Sequence, residues 1–246
     1  MDARSAGDTV SDAPLAVRIR ADSVVLEGLL GVPAGAAGIV LFAHGSGSSR
    51  LSPRNAAVAR ALRRAGIATL LFDLLTAPES ADRALVFDVP LLARRLRAAT
   101  AWVRGEAATR HLAVGYFGAS TGAAAALVAA ADDPAVAAVV SRGGRPDLAA
   151  PVLSRVRAPT LLVVGGDDVP VIAMNEEALR RLRCEKRLVI VPGATHLFEE
   201  PGTLEEVVRL ATDWFRDHFP RRARGSNASR RGAAAGSTTE ETTCRS

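Results

Sequence analysis

Residue types suited to nucleophilic chemistry fall at one kind of place in this chain, directly after short apolar runs. After LAVGYF comes Gly118-Ala119-Ser120-Thr121-Gly122, the G-x-S-x-G pattern of a serine presented on a tight strand-to-helix turn. Such a turn needs small flanking residues and makes the serine protrude. After TLLVV come Gly165-Gly166-Asp167-Asp168, with two adjacent acids, and after RLVIV come Pro192-Gly193-Ala194-Thr195-His196. A fourth loop, His44-Gly45-Ser46-Gly47-Ser48-Ser49, follows GIVLFA, and its glycines let backbone approach a ligand without a Cβ in the way. A serine whose proton passes to a histidine, itself oriented by an acid, is equipped for acyl transfer. His196 is set apart from the other histidines by position. His111 starts a strand, His218 lies near the polar end of the closing helix, and His44 belongs to the HG loop.

These loops need a scaffold that brings them to one side, and the apolar spacing supplies it. Leu15–Arg20 and Val24–Leu30 read as a hairpin. Gly38–Ala43, Ile67–Phe72, Leu112–Phe117, Val136–Val140, Thr160–Val164 and Arg187–Val191 read as strands, several of them with the continuous apolar character of strands buried on both faces. Between them, helices are predicted over Pro53–Ala65, Thr121–Ala131, Val171–Arg183 and Thr203–Phe219. Another carries Val89, Leu92, Leu96, Ala99 and Val103 on one face. Strand–helix alternation of this kind implies a mostly parallel sheet of about eight strands with helices on both faces. In such sheets ligands bind beyond the carboxyl ends of the strands, where all four loops fall.

Composition narrows the function classes. The 246 residues are 48% hydrophobic and 23% charged, the profile of a globular chain with a sizeable core. The longest apolar stretch, Ala123–Ala131, is far short of the roughly 20 residues a membrane span needs. No apolar leader segment is visible at the start, and Cys184 and Cys244 suit a reducing, cytoplasmic setting rather than a disulfide framework. Of the net charge of +5, four units come from residues 221–246, where six arginines face Glu240 and Glu241. The expected organisation is a flexible N-terminus over 1–13, one domain over 14–219, and a disordered basic tail over 220–246. That tail is the only feature that would meet nucleic acid. There is no phosphate-binding glycine loop of the required pattern and no His/Cys cluster, so no cofactor and no metal are expected.

Together HGSGSS, GASTG, GGDDVPV and PGATHLF resemble the α/β-hydrolase superfamily, and within it the compact dienelactone-hydrolase-like branch, over roughly residues 14–219. The resemblance implies an α/β-hydrolase fold with Ser120 as nucleophile and His196 as the base that later returns the proton. Its G-x-x-D placement favours Asp168 over Asp167 as the orienting acid. Carried over, the oxyanion hole is formed by the backbone N–H of Thr121 and that of Ser46, with His44 and Gly45 shaping the loop against the substrate. Dienelactone hydrolases proper use a cysteine nucleophile, whereas position 120 is serine, which favours general ester chemistry. The partner implied is a small-molecule ester. Cleavage of thioesters or peptides, acyl transfer and non-catalytic ligand binding are the alternatives.

Two further features bear on the substrate. Only about 19 residues separate Val140 from Thr160, too few for a large cap, so the pocket should be open. That stretch begins Ser141-Arg142-Gly143-Gly144-Arg145, where Arg142 or Arg145 is placed to grip a substrate carboxylate, or else to pair with Asp147 or a helix end. Glu79, Asp82 and Asp88 fall in the segment after Asp73 and are candidates for the same mouth, or for solvent.

Overall fold

β1 (Leu15–Ala21) and β2 (Val24–Gly31) pair antiparallel across a turn at Asp22 and Ser23, and β2 pairs antiparallel with β4 (Ala68–Phe72). The other strands run parallel: β3 (Gly38–Ala43), β5 (Ala113–Ala119), β6 (Val136–Arg142), β7 (Thr160–Gly165) and β8 (Lys186–Val191). The order is β1-β2-β4-β3-β5-β6-β7-β8, an open eight-stranded sheet. The computed structural model describes residues 13–220. The expected flexible N-terminus and basic tail, with Cys244, therefore lie outside the described residues apart from 13 and 220.

Burial follows from the pattern of the strands. Every residue of β3, β4 and β7 is buried, whereas the edge strand β8 is mostly exposed or half-buried. Among the described residues there are seven α-helices: α1 (Pro53–Arg64), α2 (Ala77–Ser80), α3 (Arg83–Val86), α4 (Val89–Gly105), α5 (Thr121–Asp132), α6 (Val169–Arg181) and α7 (Thr203–His218). One face of the sheet packs against α4, α5, α6 and a 3-10 segment, Pro146–Arg155. The other packs against α1 and α7 through Val58, Leu62, Val207, Phe215 and neighbours. Among the described residues no helix is long and apolar enough to cross a membrane.

The differences from the sequence expectation concern strand ends and short helices. β5 and β6 each run two residues further than their apolar runs, to Ala119 and Arg142, because parallel pairing continues through Gly118 and Ser141. α6 starts at Val169, immediately after the acid, with Pro170 in its first turn. α2 and α3 replace an expected loop. At four residues each they are too short to show helical periodicity, and local caps hold them instead. Thr76 and Glu79 form a reciprocal capping box on α2, and Asp82 accepts the Ala84 N–H at the start of α3. Asp88 caps α4 by accepting the Leu91 N–H at 2.9 Å, and Glu79 also pairs with the buried Arg95 at 2.9 Å. Glu79, Asp82 and Asp88 are thus committed to local structure.

Candidate active site

The turn between β5 and α5 is built from close backbone contacts. A Cβ on Gly118 would lie 2.4 Å from the Cα of Ala123, and one on Gly122 would lie 2.1 Å from the Ala43 carbonyl oxygen, so only glycine fits either place. Ser120, between them, sits at φ 50° and ψ −121°, a backbone conformation that costs a non-glycine residue on the order of 1–3 kcal/mol. Its surroundings over-determine it. Its N–H donates to the Arg142 carbonyl at 3.2 Å, and its own carbonyl accepts the N–H groups of Ala123 and Arg145 at 3.0 and 3.1 Å. The two-residue extension of β6 is what makes the first of these bonds available.

The acid and the histidine arrive on interlocking loops after β7 and β8. The N–H of Gly166 donates to Val191 and that of Asp167 to Ala194. Asp168 occupies the N-cap position of α6 yet makes no capping bond. Its carboxylate is spent on His196 instead, with Oδ2 2.6 Å from Nδ1, while Asp167 is exposed. His196 Nε2 lies 3.3 Å from Ser120 Oγ. With Nδ1–H donating to Asp168, Nε2 is left to accept the serine hydroxyl proton. Ser120, His196 and Asp168 thus form one continuous array across gaps of 76 and 28 residues.

Side chains also fix the histidine loop from outside. The Arg142 guanidinium lies over the Phe198 ring at 5.7 Å, a cation–π contact. Arg54 pairs with Glu199 at 2.6 Å, and Glu200 accepts from the N–H and hydroxyl of Thr195. Asn175, fully buried, donates from Nδ2 to the Gly144 carbonyl at 3.0 Å and so ties α6 to the turn beneath His196. No motif announces Glu199 or Asn175, and Phe198 closes the PGATHLF segment without a role assigned to it there. The one sequence signal was their nearness to His196 and to the acid's helix.

Arg142 and Arg145 have different fates. Arg145 makes a bidentate pair with Asp147, at 2.9 and 2.7 Å, which holds its pKa above the ordinary value. Arg142 is 5% exposed, and apart from Phe198 its guanidinium has no hydrogen-bonding or ionic partner among the described residues. Burial, and then the nearby Arg54, push its pKa down to about 10.

The loop after β3 is anchored to the end of β4. His44 Nε2 accepts the Leu74 N–H at 3.1 Å and its Nδ1 lies 3.0 Å from the Gly45 carbonyl, so both ring nitrogens are engaged within the protein. Burial lowers its pKa, against the opposing effects of the Gly45 carbonyl and Asp73. Arg50 is ion-paired with Asp73 and Glu27. The Ser46 N–H donates to Thr121 Oγ1 at 3.0 Å. Beside this loop opens a cavity of about 700 Å³, lined by Ser46, Ser49, Leu75, Val86 and Thr121 among others. Its far wall belongs to α2 and α3. Among the described residues no group of His, Cys, Asp and Glu is placed to hold a metal ion.

The chain is similar to several known proteins. The model of the dienelactone hydrolase family matches residues 26–219. A Mycobacterium tuberculosis protein named "Putative phosphoribosyl transferase" is 58% identical over 216 residues, covering 86% of this chain and 49% of that protein. This chain therefore spans about half the length of that relative. The crystal structure of a dienelactone hydrolase from Anabaena variabilis is 59% identical with a TM-score of 0.83, covering 84% of this chain and 98% of that one. An α/β serine hydrolase without lid from Xanthomonas campestris shares the fold at 23% identity and a TM-score of 0.68, covering 86% and 97% of the two chains.

Proposed function

The chain belongs to the dienelactone hydrolase family, and we propose that it is a serine hydrolase that cleaves small, accessible carboxylic esters or lactones. The observation that carries this reading is His196 set between Asp168 at 2.6 Å and a conformationally strained Ser120 at 3.3 Å. In the proposed mechanism Ser120 Oγ attacks the acyl carbon while His196 Nε2 takes its proton. Asp168 keeps the ring in the required tautomer and stabilises the imidazolium. The proton then passes to the departing alcohol. Water, deprotonated by the same nitrogen, releases the acid from the acyl-enzyme.

Donors aimed at the developing oxyanion contribute about 2.7–4 kcal/mol each to lowering the barrier. The backbone N–H of Thr121 is the first of these. Arg142 is the proposed contact for an acidic group on the substrate, supported by a guanidinium that has no hydrogen-bonding or ionic partner among the described residues. Arg145, already engaged by Asp147, is the weaker candidate.

The test is hydrolysis of p-nitrophenyl acetate and butyrate, with Ser120→Ala alongside and a fluorophosphonate adduct followed by intact mass. Turnover lost on substitution, with one adduct on Ser120, is the expected result. In the same assay the p-nitrophenyl half-ester of succinic acid should be preferred over butyrate, and Arg142→Met should remove the preference. No turnover and no adduct in folded protein would end the hydrolase reading.

A further inference from the structure

Thr121 is the residue after the proposed nucleophile, opens α5, is 2% exposed and lines the cavity. Its hydroxyl can be accounted for bond by bond. A threonine hydroxyl has one proton to give and lone pairs to accept. Here Oγ1 accepts the Ser46 N–H at 3.0 Å, and no described residue accepts its proton. The Ser46 amide, expected from sequence as the second oxyanion donor, therefore points at a side chain. Thr121's own N–H lies in the first turn of α5, where the helix offers no acceptor, and no described residue accepts it. Thr121 thus holds two unspent donors, one on its main chain and one on its side chain, immediately beside Ser120.

We propose that the Thr121 hydroxyl is itself a catalytic group, donating its O–H to the oxyanion of the tetrahedral intermediate while the Ser46 N–H donates to it from behind. No proton changes hands. The hydrogen bond strengthens as negative charge grows on the former carbonyl oxygen and relaxes when the carbonyl re-forms. A hydroxyl that is accepting a hydrogen bond is a better donor, because chains of such bonds polarise one another. Ser46 therefore acts on the oxyanion at second hand. A serine hydroxyl at position 121 would do the same work, whereas valine keeps the shape and removes the donor. This inference rests on the reading of Ser120 as nucleophile.

The experiment compares Thr121→Val, Thr121→Ser and wild type in p-nitrophenyl butyrate hydrolysis and in inhibition by an alkyl trifluoromethyl ketone. That ketone adds Ser120 to form a hemiketal oxyanion. Thr121→Val should lower kcat on the order of 10²-fold with KM little changed, the loss associated with removing one oxyanion donor. Its affinity for the ketone should fall by a matching factor, and Thr121→Ser should restore both. Thr121→Ala serves in place of valine should the latter not fold. Undiminished or faster turnover by Thr121→Val would overturn the proposal, since the released Ser46 amide would then be the donor. So would a Thr121→Ser enzyme as slow as the valine variant, or a loss of kcat without loss of ketone affinity. Absence of turnover and of a Ser120 adduct in the wild type would remove the hydrolase reading along with it. Normal turnover by Thr121→Val removes this proposal alone.

Discussion

Ser120 and His196 meet across 3.3 Å but are brought there by different means. The serine is held by backbone: three main-chain hydrogen bonds to residues 123, 142 and 145, and two glycine contacts too close for a Cβ. The histidine's loop shares main-chain bonds with the acid's loop, but the ring itself is aimed by side chains, with Asp168 on it and with Arg142 on Phe198 and Arg54 on Glu199 in the loop beyond. Backbone construction tolerates almost no substitution and leaves a fixed spacing in the sequence. Side-chain construction is spread over contacts between residues as far apart as 54 and 199, each replaceable by another pair. The two halves should therefore fail differently.

The largest effect is expected from Gly122→Ala. Its Cβ would sit 2.1 Å from the Ala43 carbonyl oxygen and 2.4 Å from that of His44, backbone atoms that cannot swing aside. Activity should be lost together with more than about 3 kcal/mol of stability in urea denaturation, the range of severe steric lesions. A stable Gly122→Ala protein would mean that the elbow is not built as rigidly as its contacts indicate. The other half should lose chemistry and keep its fold. Asp168→Asn should reduce kcat on the order of 10⁴-fold, the size seen when a triad histidine loses its orienting carboxylate, with an unchanged melting transition. Asp167→Asn, on an exposed neighbour, should stay within about twofold of wild type. Equal losses in the two variants would break the assignment of the acid.

The smallest effect concerns pH and the loop after β3. Burial lowers the His44 pKa, so between pH 7.5 and 5 the unfolded chain, with an ordinary value near 6.5, takes up the proton before the folded one does. Stability should be full above about pH 6.5 and decline as pH falls below it. His44→Gln, whose amide oxygen can still accept the Leu74 N–H, should show a shallower decline over that interval. Identical urea midpoints against pH for the two proteins would show that His44 does not resist protonation.

The fold was legible because its central strands are nearly unbroken apolar runs and its longer helices keep one apolar face. The elbow was legible for a related reason: Gly118 and Gly122 are dictated by contacts within one turn, so the spacing survives in the sequence. The α/β-hydrolase resemblance singled out Asp168 from Asp167 by its distance from Gly165, and it is Asp168 that lies against the His196 ring while Asp167 is exposed. What stayed illegible depended on individual pairings, near or far, that leave no periodic pattern. Nothing near Ser46 says that its N–H will meet a side chain 75 residues away. Nor does the RGGR stretch say which arginine Asp147 will occupy until the 3-10 turn after Arg145 brings the two together. The same holds for α2 and α3, whose capping bonds leave no periodic trace.

α5 has a further consequence. Nine of the residues that open or continue it, Thr121 to Leu127 with Ala129 and Ala130, are buried, and most are alanine, so it lies tight against β5, α4 and the 3-10 segment with no polar face. α2 and α3 bury no residue at all. In deuterium oxide the α5 amides should exchange only when the whole domain opens, while those of residues 77–86 exchange through local opening. The support of Ser120 and the far wall of the neighbouring cavity, which Thr121 lines, then belong to different cooperative units. The outline of the cavity can fluctuate, or be altered by substitution along residues 77–86, without moving Ser120.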